Sequence, residues 1–294
     1  MDKLASVIVV THNSRKRLKH CLQRVDWGTF SPYELLVVDN ASQDGSVSWL
    51  RKYQPVNPYC RRVEKLFNKN NRGWSYAVNQ GVKVAGGRYI ALLSVDVTVT
   101  EHWLARLAEH LRTAPEAGLV APIGYGLWLD QDYEKWYGTP PYLKDDRISL
   151  DEFAGSLYET WQGSITEVKF VINSCVLTKS EVFDRIGLYD ERLFLYTANF
   201  DFSFRAGLAG FRMYVAEDVF VHCFRRNGRL WLEKNSRIQR IKDYAYFYAK
   251  WKELSPQRPA KWHKIFAGRD PLWYKGLRVG RRNKHDKHGD RFSV

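Results

Sequence analysis

The first half of the chain alternates short β-branched runs with amphipathic stretches, and each β-branched run ends in a cluster of polar residues. Ser6–Val10 opens the series as the kind of run that forms a buried strand. Arg15–Val25 follows, with Leu18, Cys21, Leu22 and Val25 at helical spacing. Leu35–Val38 reads as the next strand, Ser46–Tyr53 as a helix and Arg62–Phe67 as a strand. Trp74–Ala85 places Trp74, Ala77, Val78, Val82 and Ala85 on one helical face. Tyr89–Leu93, His102–Leu111 and Leu119–Ile123 continue the series as strand, helix and strand. Strands separated by helices predict an α/β fold: a mostly parallel central sheet with right-handed crossovers, flanked by helices. Such sheets bind ligands beyond the carboxyl ends of their strands, so the residues just past each strand carry the functional question.

The second half is less regular. Residues 124–165 hold Gly124-Tyr125-Gly126, Pro140-Pro141 and several Trp and Tyr, and read as a long surface excursion of the kind that is functional or disordered. Val168–Leu177 returns as a strand, Asp201–Ala209 as a helix, and Met213–Val215 and Val219–Cys223 as short strands. Trp231–Trp251 is expected to be a helix with an apolar stripe of Ile238, Ile241, Ala245, Tyr248 and Trp251. Beyond Pro256, Trp262, Phe266, Trp273 and Tyr274 stand among many basic residues, and the end from Gly280 is charged.

Charge divides the chain more sharply than hydrophobicity does. Residues 1–223 hold 26 Lys+Arg against 26 Asp+Glu, whereas residues 224–294 hold 20 against 6, so the whole excess of +14 lies in the tail. With 45% hydrophobic residues the chain can bury a core, which excludes wholesale disorder. No run of eighteen apolar residues is present, so no spanning helix is expected. The N-terminus enters Leu4–Val10 with almost no basic lead-in, which reads as a strand and not as a signal peptide. Cys21, Cys60, Cys175 and Cys223 form no CxxC pair, so reduced thiols in a cytoplasmic protein are expected, with no disulfide framework and no zinc site.

Four successive strand ends carry the candidate site. Thr11-His12-Asn13 follows the first, Asp39 through Gly45 the second, Asn68 through Gly73 the third, and Ser94-Val95-Asp96 the fourth. Taken singly, Thr11, Ser42 and Asp44 could cap helices and Asp39 could be a turn residue. Taken together, they supply what a nucleotide needs: carboxylate and amide acceptors for base and ribose, and backbone N–H groups for phosphates.

At this point the sequence resembles glycosyltransferase family 2, nucleotide-sugar enzymes with the GT-A fold. Ser6 through Asn13 looks like the family's first strand and its Thr-x-Asn ending, and Val37 through Ser46 is similar to its second-strand motif. Asn71-Arg72-Gly73, followed by Ala77, Asn79, Gly81, Ala85, Gly87 and Tyr89, resembles its helix-and-strand signature, and Leu92 through Val97 the segment with its Asp-x-Asp element. Asn173 through Phe183 and Gly187 through Glu191 resemble the acceptor side, with Arg205, Gly210, Val221 and His222 in place. The resemblance covers roughly residues 4–223, and it looks closest to members that transfer rhamnose or similar sugars in cell-surface polysaccharide assembly. It implies a GT-A domain over 1–223, made of a nucleotide-binding half (1–123) and an acceptor-side half (124–223), with 224–294 as a basic, aromatic-rich helical extension.

The resemblance further implies an inverting transfer from a nucleotide-diphosphate sugar to an acceptor hydroxyl, on a glycan or a lipid-linked molecule. Thr11, Asn13, Asp39, Asn40, Ser42, Asn71, Gly73, Asn79, Ser94 and Asp96 would make the nucleotide-sugar site, with Asp39 reading the base. A divalent cation, Mn2+ or Mg2+, would neutralise the diphosphate through Asp96 and His222, although His222 could equally be a core histidine. Two departures stand out. Ser94 replaces the first carboxylate of Asp-x-Asp, which implies weaker cation binding. The acidic pair expected after Phe194-Leu195-Tyr196 is Ala198-Asn199, and an amide cannot serve as general base.

Asp201 then becomes the candidate base, or a mere ion-pair partner of Arg205 one turn on. A carboxylate from the excursion (Asp130, Asp132, Glu134, Asp145, Asp146, Asp151 or Glu152) could also reach in, or the protein could be a slow or inactive relative that binds nucleotide sugar or glycan. For the tail, an anionic membrane surface fits better than nucleic acid, because no recognition motif accompanies the charge; a helix packed on the body with a solvated face is the plain alternative. The expected place of work is the cytoplasm, peripheral to the inner membrane face if the tail binds lipid.

Overall fold

The computed structural model describes residues 5–127, 129–224 and 234–252. Strand β1 (Ala5–Thr11), helix α1 (Arg15–Gly28), β2 (Tyr33–Asp39), α2 (Ser46–Lys52), β3 (Cys60–Phe67), α3 (Trp74–Val84) and β4 (Tyr89–Ser94) follow one another as the alternation requires. They assemble in the order β3-β2-β1-β4, and every pair is parallel. Both faces of this sheet are covered. Val7, Val9, Leu35 and Val37 point into one apolar cluster, and Ile8, Leu36, Ile90 and Leu92 into the other. That explains why these strands read as continuous apolar runs without polar alternation. Gly81 lets α3 lie close on the sheet, since a Cβ there would come within 2.7 Å of the Ile8 side chain.

The rest of the sheet is mixed. It is built from β5 (Val97–Val99), α4 (Trp103–Thr113), β6 (Ala117–Tyr125), α5 (Tyr133–Tyr137), α6 (Leu150–Trp161), β7 (Ile165–Val168), β8 (Cys175–Lys179), α7 (Ser180–Ile186), α8 (Ala198–Leu208) and β9 (Arg212–Cys223). Beyond β4 the order is β8-β6-β9-β5, with β7 also paired to β9. Only β6 and β9 run parallel there; the β4–β8, β6–β8, β5–β9 and β7–β9 pairs are antiparallel.

Three expectations change. The single strand at 168–177 is two strands with different partners, β7 on β9 and β8 between β4 and β6. The two short strands at 213–223 are one strand with a bulge: pairing jumps from Pro122 with Ala216 to Ile123 with Phe220. The bulge turns Asp218 out of the ladder, where it accepts hydrogen bonds from His110 (2.7 Å) and from the Gly163 N–H (2.8 Å). The excursion at 124–165 is largely folded. Ser149 and Glu152 form a reciprocal capping box at the start of α6, and Phe153, Ala154 and Leu157 bury its inner face.

Helix α9 (Lys234–Trp251) confirms the helix expected at 231–251, its first three residues lying outside the described set, but it turns a different face inward. Ile238 and Ile241 are exposed, whereas Asp243 and Phe247 are buried and Trp251 packs on Phe204. The first compact unit of the chain runs through Lys252, so α9 belongs with the sheet. The aromatic and basic residues after 252 lie outside the described residues. All four cysteines are free, and burial pushes the Cys21 thiol up to about 12. No helix among the described residues is long and apolar enough to cross a membrane.

Candidate functional site at the carboxyl ends of the strands

Strand register sets the site. Thr11 is level with Asp39 on β2, and Val10 is level with Ser94 on β4. β1 lies between the other two, so the tips of β2 and β4 stand about 10 Å apart on one sheet edge. The loops above are stitched together. The Asn13 N–H donates to Ser42 Oγ (2.8 Å), and Asn13 Oδ1 accepts from the Gln43 N–H (2.7 Å). Asn13 and Ala41 both hold positive φ, at 46° and 66°, a strained conformation for a non-glycine residue. Asp44 ties the same loops by accepting from the Ser46 hydroxyl and from the N–H groups of Ser46 and Arg15; burial opposes its charge, but these bonds together hold its carboxyl below the usual range.

Asp39 is fully buried at this edge. Its Oδ1 accepts from the Ser42 N–H at 2.8 Å, while its Oδ2 has no hydrogen-bond partner among the described residues. The buried hydroxyl of Thr11, on the neighbouring strand, is likewise unpartnered. An unpaired buried polar atom costs about 1–3 kcal/mol, and here two lie level with each other at adjacent strand tips.

Other expected residues are occupied with the protein itself. Asn40 donates to Asn71 Oδ1 (2.8 Å) and the Gly73 carbonyl (3.0 Å) and accepts from Asn68 (3.1 Å), which shapes the loop after β3. Gly73 has φ 94°, and a Cβ there would strike Phe194 at 2.6 Å. Asn79 is buried in α3; its amide donates to the Tyr189 carbonyl and Glu191 and accepts from the Tyr189 N–H, clamping α3 to the segment around Tyr189.

At the β4 tip, Asp96 is 1% exposed and its Oδ1 accepts from Arg17 Nη1 at 2.7 Å. Ser94 Oγ lies 3.3 Å from the Asp96 N–H that donates to it. His222 stands nearby on β9, level with Thr98 of β5. Burial, and then the proximity of His20, push its imidazole below the ordinary value, and burial pushes the Tyr142 phenol up. Tyr142 Oη and His222 Nδ1 share a 2.6 Å hydrogen bond, the tautomer of the imidazole setting which of them donates. Among the described residues, no group of three or more His, Cys, Asp and Glu could hold a metal ion. With Ser94 where a second carboxylate is expected, Asp96 ion-paired to a guanidinium and His222 Nδ1 engaged by Tyr142, these residues do not fit a resident divalent cation.

In the second half of the chain, Asp201 is fully buried at the first turn of α8. Arg205 Nε donates to one of its oxygens (2.9 Å), and Lys250 Nζ (2.6 Å) and Trp251 Nε1 (2.9 Å) donate to the other. The i,i+4 ion pair with Arg205 is therefore present, joined by a second cation from α9. Asn199 is half-buried in the same turn. Within the excursion, Asp151 is bound by Arg24, Asp145 by Arg147 and Asp130 by Lys135, while Asp132 and Glu152 cap helices.

Sequence reasoning missed Arg17 and Asp243. Asp243 is the lone acid of α9, a signal available in the sequence, and it accepts the N–H groups of Phe194, Leu195 and Tyr196 at 2.9–3.0 Å.

Residues 6–187, more than half of the chain, match the model of Glycosyl transferase family 2. The chain belongs to glycosyltransferase family 2. It is 24% identical over 194 residues to the glycosyltransferase GlyG of Streptococcus pneumoniae, covering 66% of this chain and 62% of that protein. It is 26% identical over 203 residues to the uncharacterized glycosyltransferase RT0329 of Rickettsia typhi, covering 69% and 58%. The chain thus spans about three-fifths of the length of these curated relatives. Among solved structures, the mannosyltransferase PcManGT of Pyrobaculum calidifontis, determined with GDP-Man and Mn2+, superposes with a TM-score of 0.61 at 18% identity, over 94% of this chain and 68% of that one. GalNAc-T7, determined with UDP, GalNAc and Mn2+, gives 0.57 at 16% identity, over 90% and 53%. At these identities the likeness shows the fold: this family-2 chain has the GT-A architecture.

Proposed function

We propose that this family-2 chain transfers a hexose-type sugar, with inversion, from a nucleoside-diphosphate donor to an acceptor hydroxyl, in the assembly of a cell-surface glycan or polysaccharide. The observation that carries the reading is the pair of unpartnered buried atoms, Asp39 Oδ2 and Thr11 Oγ1, at adjacent strand tips on the ligand-binding edge. Asp39 Oδ2 accepts an N–H of the base. Thr11, Asn13 and Ser42 line the ribose side, and Asn40, Asn71 and Gly73 hold the loop that closes over it. Asn79 supports the acceptor side through Tyr189 and Glu191. In the transfer, the acceptor oxygen bonds to the anomeric carbon and gives up its proton to water. The bond to the diphosphate breaks, and its electron pair leaves with the diphosphate.

The acceptor is a glycan or a lipid-linked molecule, and the basic region from 224 onward brings the protein to an anionic membrane surface on the cytoplasmic side. A second reading has specific support: the chain is a relative that binds the donor but transfers slowly. Both oxygens of Asp201 are engaged, and Asn199 cannot take a proton. Loss of general-base assistance costs on the order of 10²–10⁴-fold in rate without touching donor binding.

A thermal-shift panel of nucleoside-diphosphate sugars tests the donor reading, because a bound ligand stabilises the folded state in proportion to its occupancy. The expected result is a shift with one nucleotide class. No shift with any donor overturns both readings, and a shift without turnover on glycan acceptors selects the second.

A further inference from the structure

We propose that the guanidinium of Arg17, held in place by Asp96, supplies the fixed positive charge that binds the donor's diphosphate, so that donor binding does not require a divalent cation. The inference rests on the donor reading above. Its starting point is that the acid expected to hold a cation already holds one: Arg17 Nη1 is 2.7 Å from Asp96 Oδ1, and Asp96 is 1% exposed. A guanidinium carries five N–H donors in a planar fork suited to phosphate oxygens. Asp96 engages one of its nitrogens, while 36% of the Arg17 side chain stays exposed at the strand-tip edge.

The position fits the charge. Arg17 lies in the first turn of α1, directly after the β1 tip that carries the unpartnered Thr11 hydroxyl. That turn reads Arg15, Lys16, Arg17 with no acid, and Ser14 caps no N–H with its side chain. Three cations at the positive end of a helix dipole oppose it; Asp44, which accepts the Arg15 N–H, and Asp96 offset part of that charge, and a further anion completes the balance. The fully buried, unpartnered Asp39 Oδ2 one strand away independently marks the same edge as a ligand site. Ser94 completes the argument. With a carboxylate at that position a divalent ion would face two acids; with Ser94 a single acid remains, and a monovalent cation, Arg17, pairs with it. Asp96 is thus a positioning residue for Arg17, and Arg17 meets the diphosphate.

Titration calorimetry on the full chain tests this, using UDP and GDP and their parent nucleosides, in EDTA and again in Mn2+. The nucleoside diphosphate of the preferred base is expected to bind in EDTA. Arg17→Gln is expected to weaken that binding by about 10–100-fold while leaving nucleoside affinity unchanged, as for loss of a charged hydrogen bond. Arg17→Lys, which keeps the charge without the fork, is expected to fall between the two, and Asp96→Asn to weaken the diphosphate selectively. Binding that appears only with Mn2+ overturns the inference and leaves the donor reading standing. An Arg17→Gln loss equal for nucleoside and diphosphate also overturns it and marks Arg17 as structural. Absence of any nucleotide binding, with or without Mn2+, removes the donor reading and this inference together.

Discussion

The tips of β1 and β2 and the segment around Phe194–Asp201 present buried carboxylates in opposite conditions. At the strand tips, Asp39 is fully buried and one of its oxygens has no partner among the described residues. Around α8 and α9, Asp201 and Asp243 are just as buried, and every oxygen is used: by Arg205, Lys250 and Trp251 for Asp201, and by three successive peptide N–H groups and Gln239 for Asp243. A buried charge fully supplied with donors serves the fold, whereas one left short at a ligand-binding edge serves a ligand. The distinction assigns opposite consequences to mutations that look alike on paper.

The largest expected effect is on stability, at Asp243. Asp243→Ala leaves the part-buried N–H groups of Phe194, Leu195 and Tyr196 without their acceptor and is expected to cost about 3–5 kcal/mol in urea denaturation. A loss below about 1 kcal/mol would show that α9 does not hold this segment. Asp39→Asn is the mirror image. Donor affinity is expected to fall by about 10–100-fold, as when a charged acceptor is lost, while the urea midpoint stays put or rises. An equal loss of stability would place Asp39 with Asp243 and dissolve the comparison.

Lys250→Met comes next. It removes a cation shared by Asp190 and Asp201, and since the lysine side chain is a quarter exposed, a loss of about 1–2 kcal/mol is expected. Burial of Asp190 opposes its charge but is outweighed by hydrogen bonds from Arg192, Lys250 and Tyr246, which hold its carboxyl well below the ordinary aspartate value of 3.8. The folded state therefore binds fewer protons, and the stability Asp190 contributes is present above about 3.8 and lost as pH falls below it. Lys250→Met should flatten that acid limb in a plot of urea midpoint against pH.

The smallest effect expected is at His222. Its imidazole is pushed below 6.5 by burial and by His20, so the folded state again holds fewer protons, and stability should decline as pH falls through 6.5. His222→Gln should remove this component; a slope of opposite sign would mean that the imidazole is charged in the fold.

What the sequence disclosed follows the same division. The strand tips were legible because local chemistry determines them: a β-branched run ends, and the next residues must face the sheet edge. Ser6–Val10 and Leu35–Val38 accordingly appear as β1 and β2, with Thr11 and Asp39 level with each other. The face of α9 was not legible from periodicity. Ile238 and Ile241 look like an inward stripe, yet they are exposed, because the three hydrogen bonds to Asp243 orient the helix. Those donors come from a segment nearly fifty residues earlier, and no local pattern encodes that meeting. Arg17 escaped notice for a related reason. Its meaning depends on Asp96, which lies 79 positions away in sequence but at the tip of the adjacent strand, 2.7 Å away in space.

The most direct test of the account is a structure of this chain with the nucleoside diphosphate that stabilises it. The account expects an N–H of the base within hydrogen-bond distance of Asp39 Oδ2 and the diphosphate at the amino end of α1. A nucleotide bound elsewhere, with Asp39 Oδ2 and Thr11 Oγ1 still unpartnered, would contradict it.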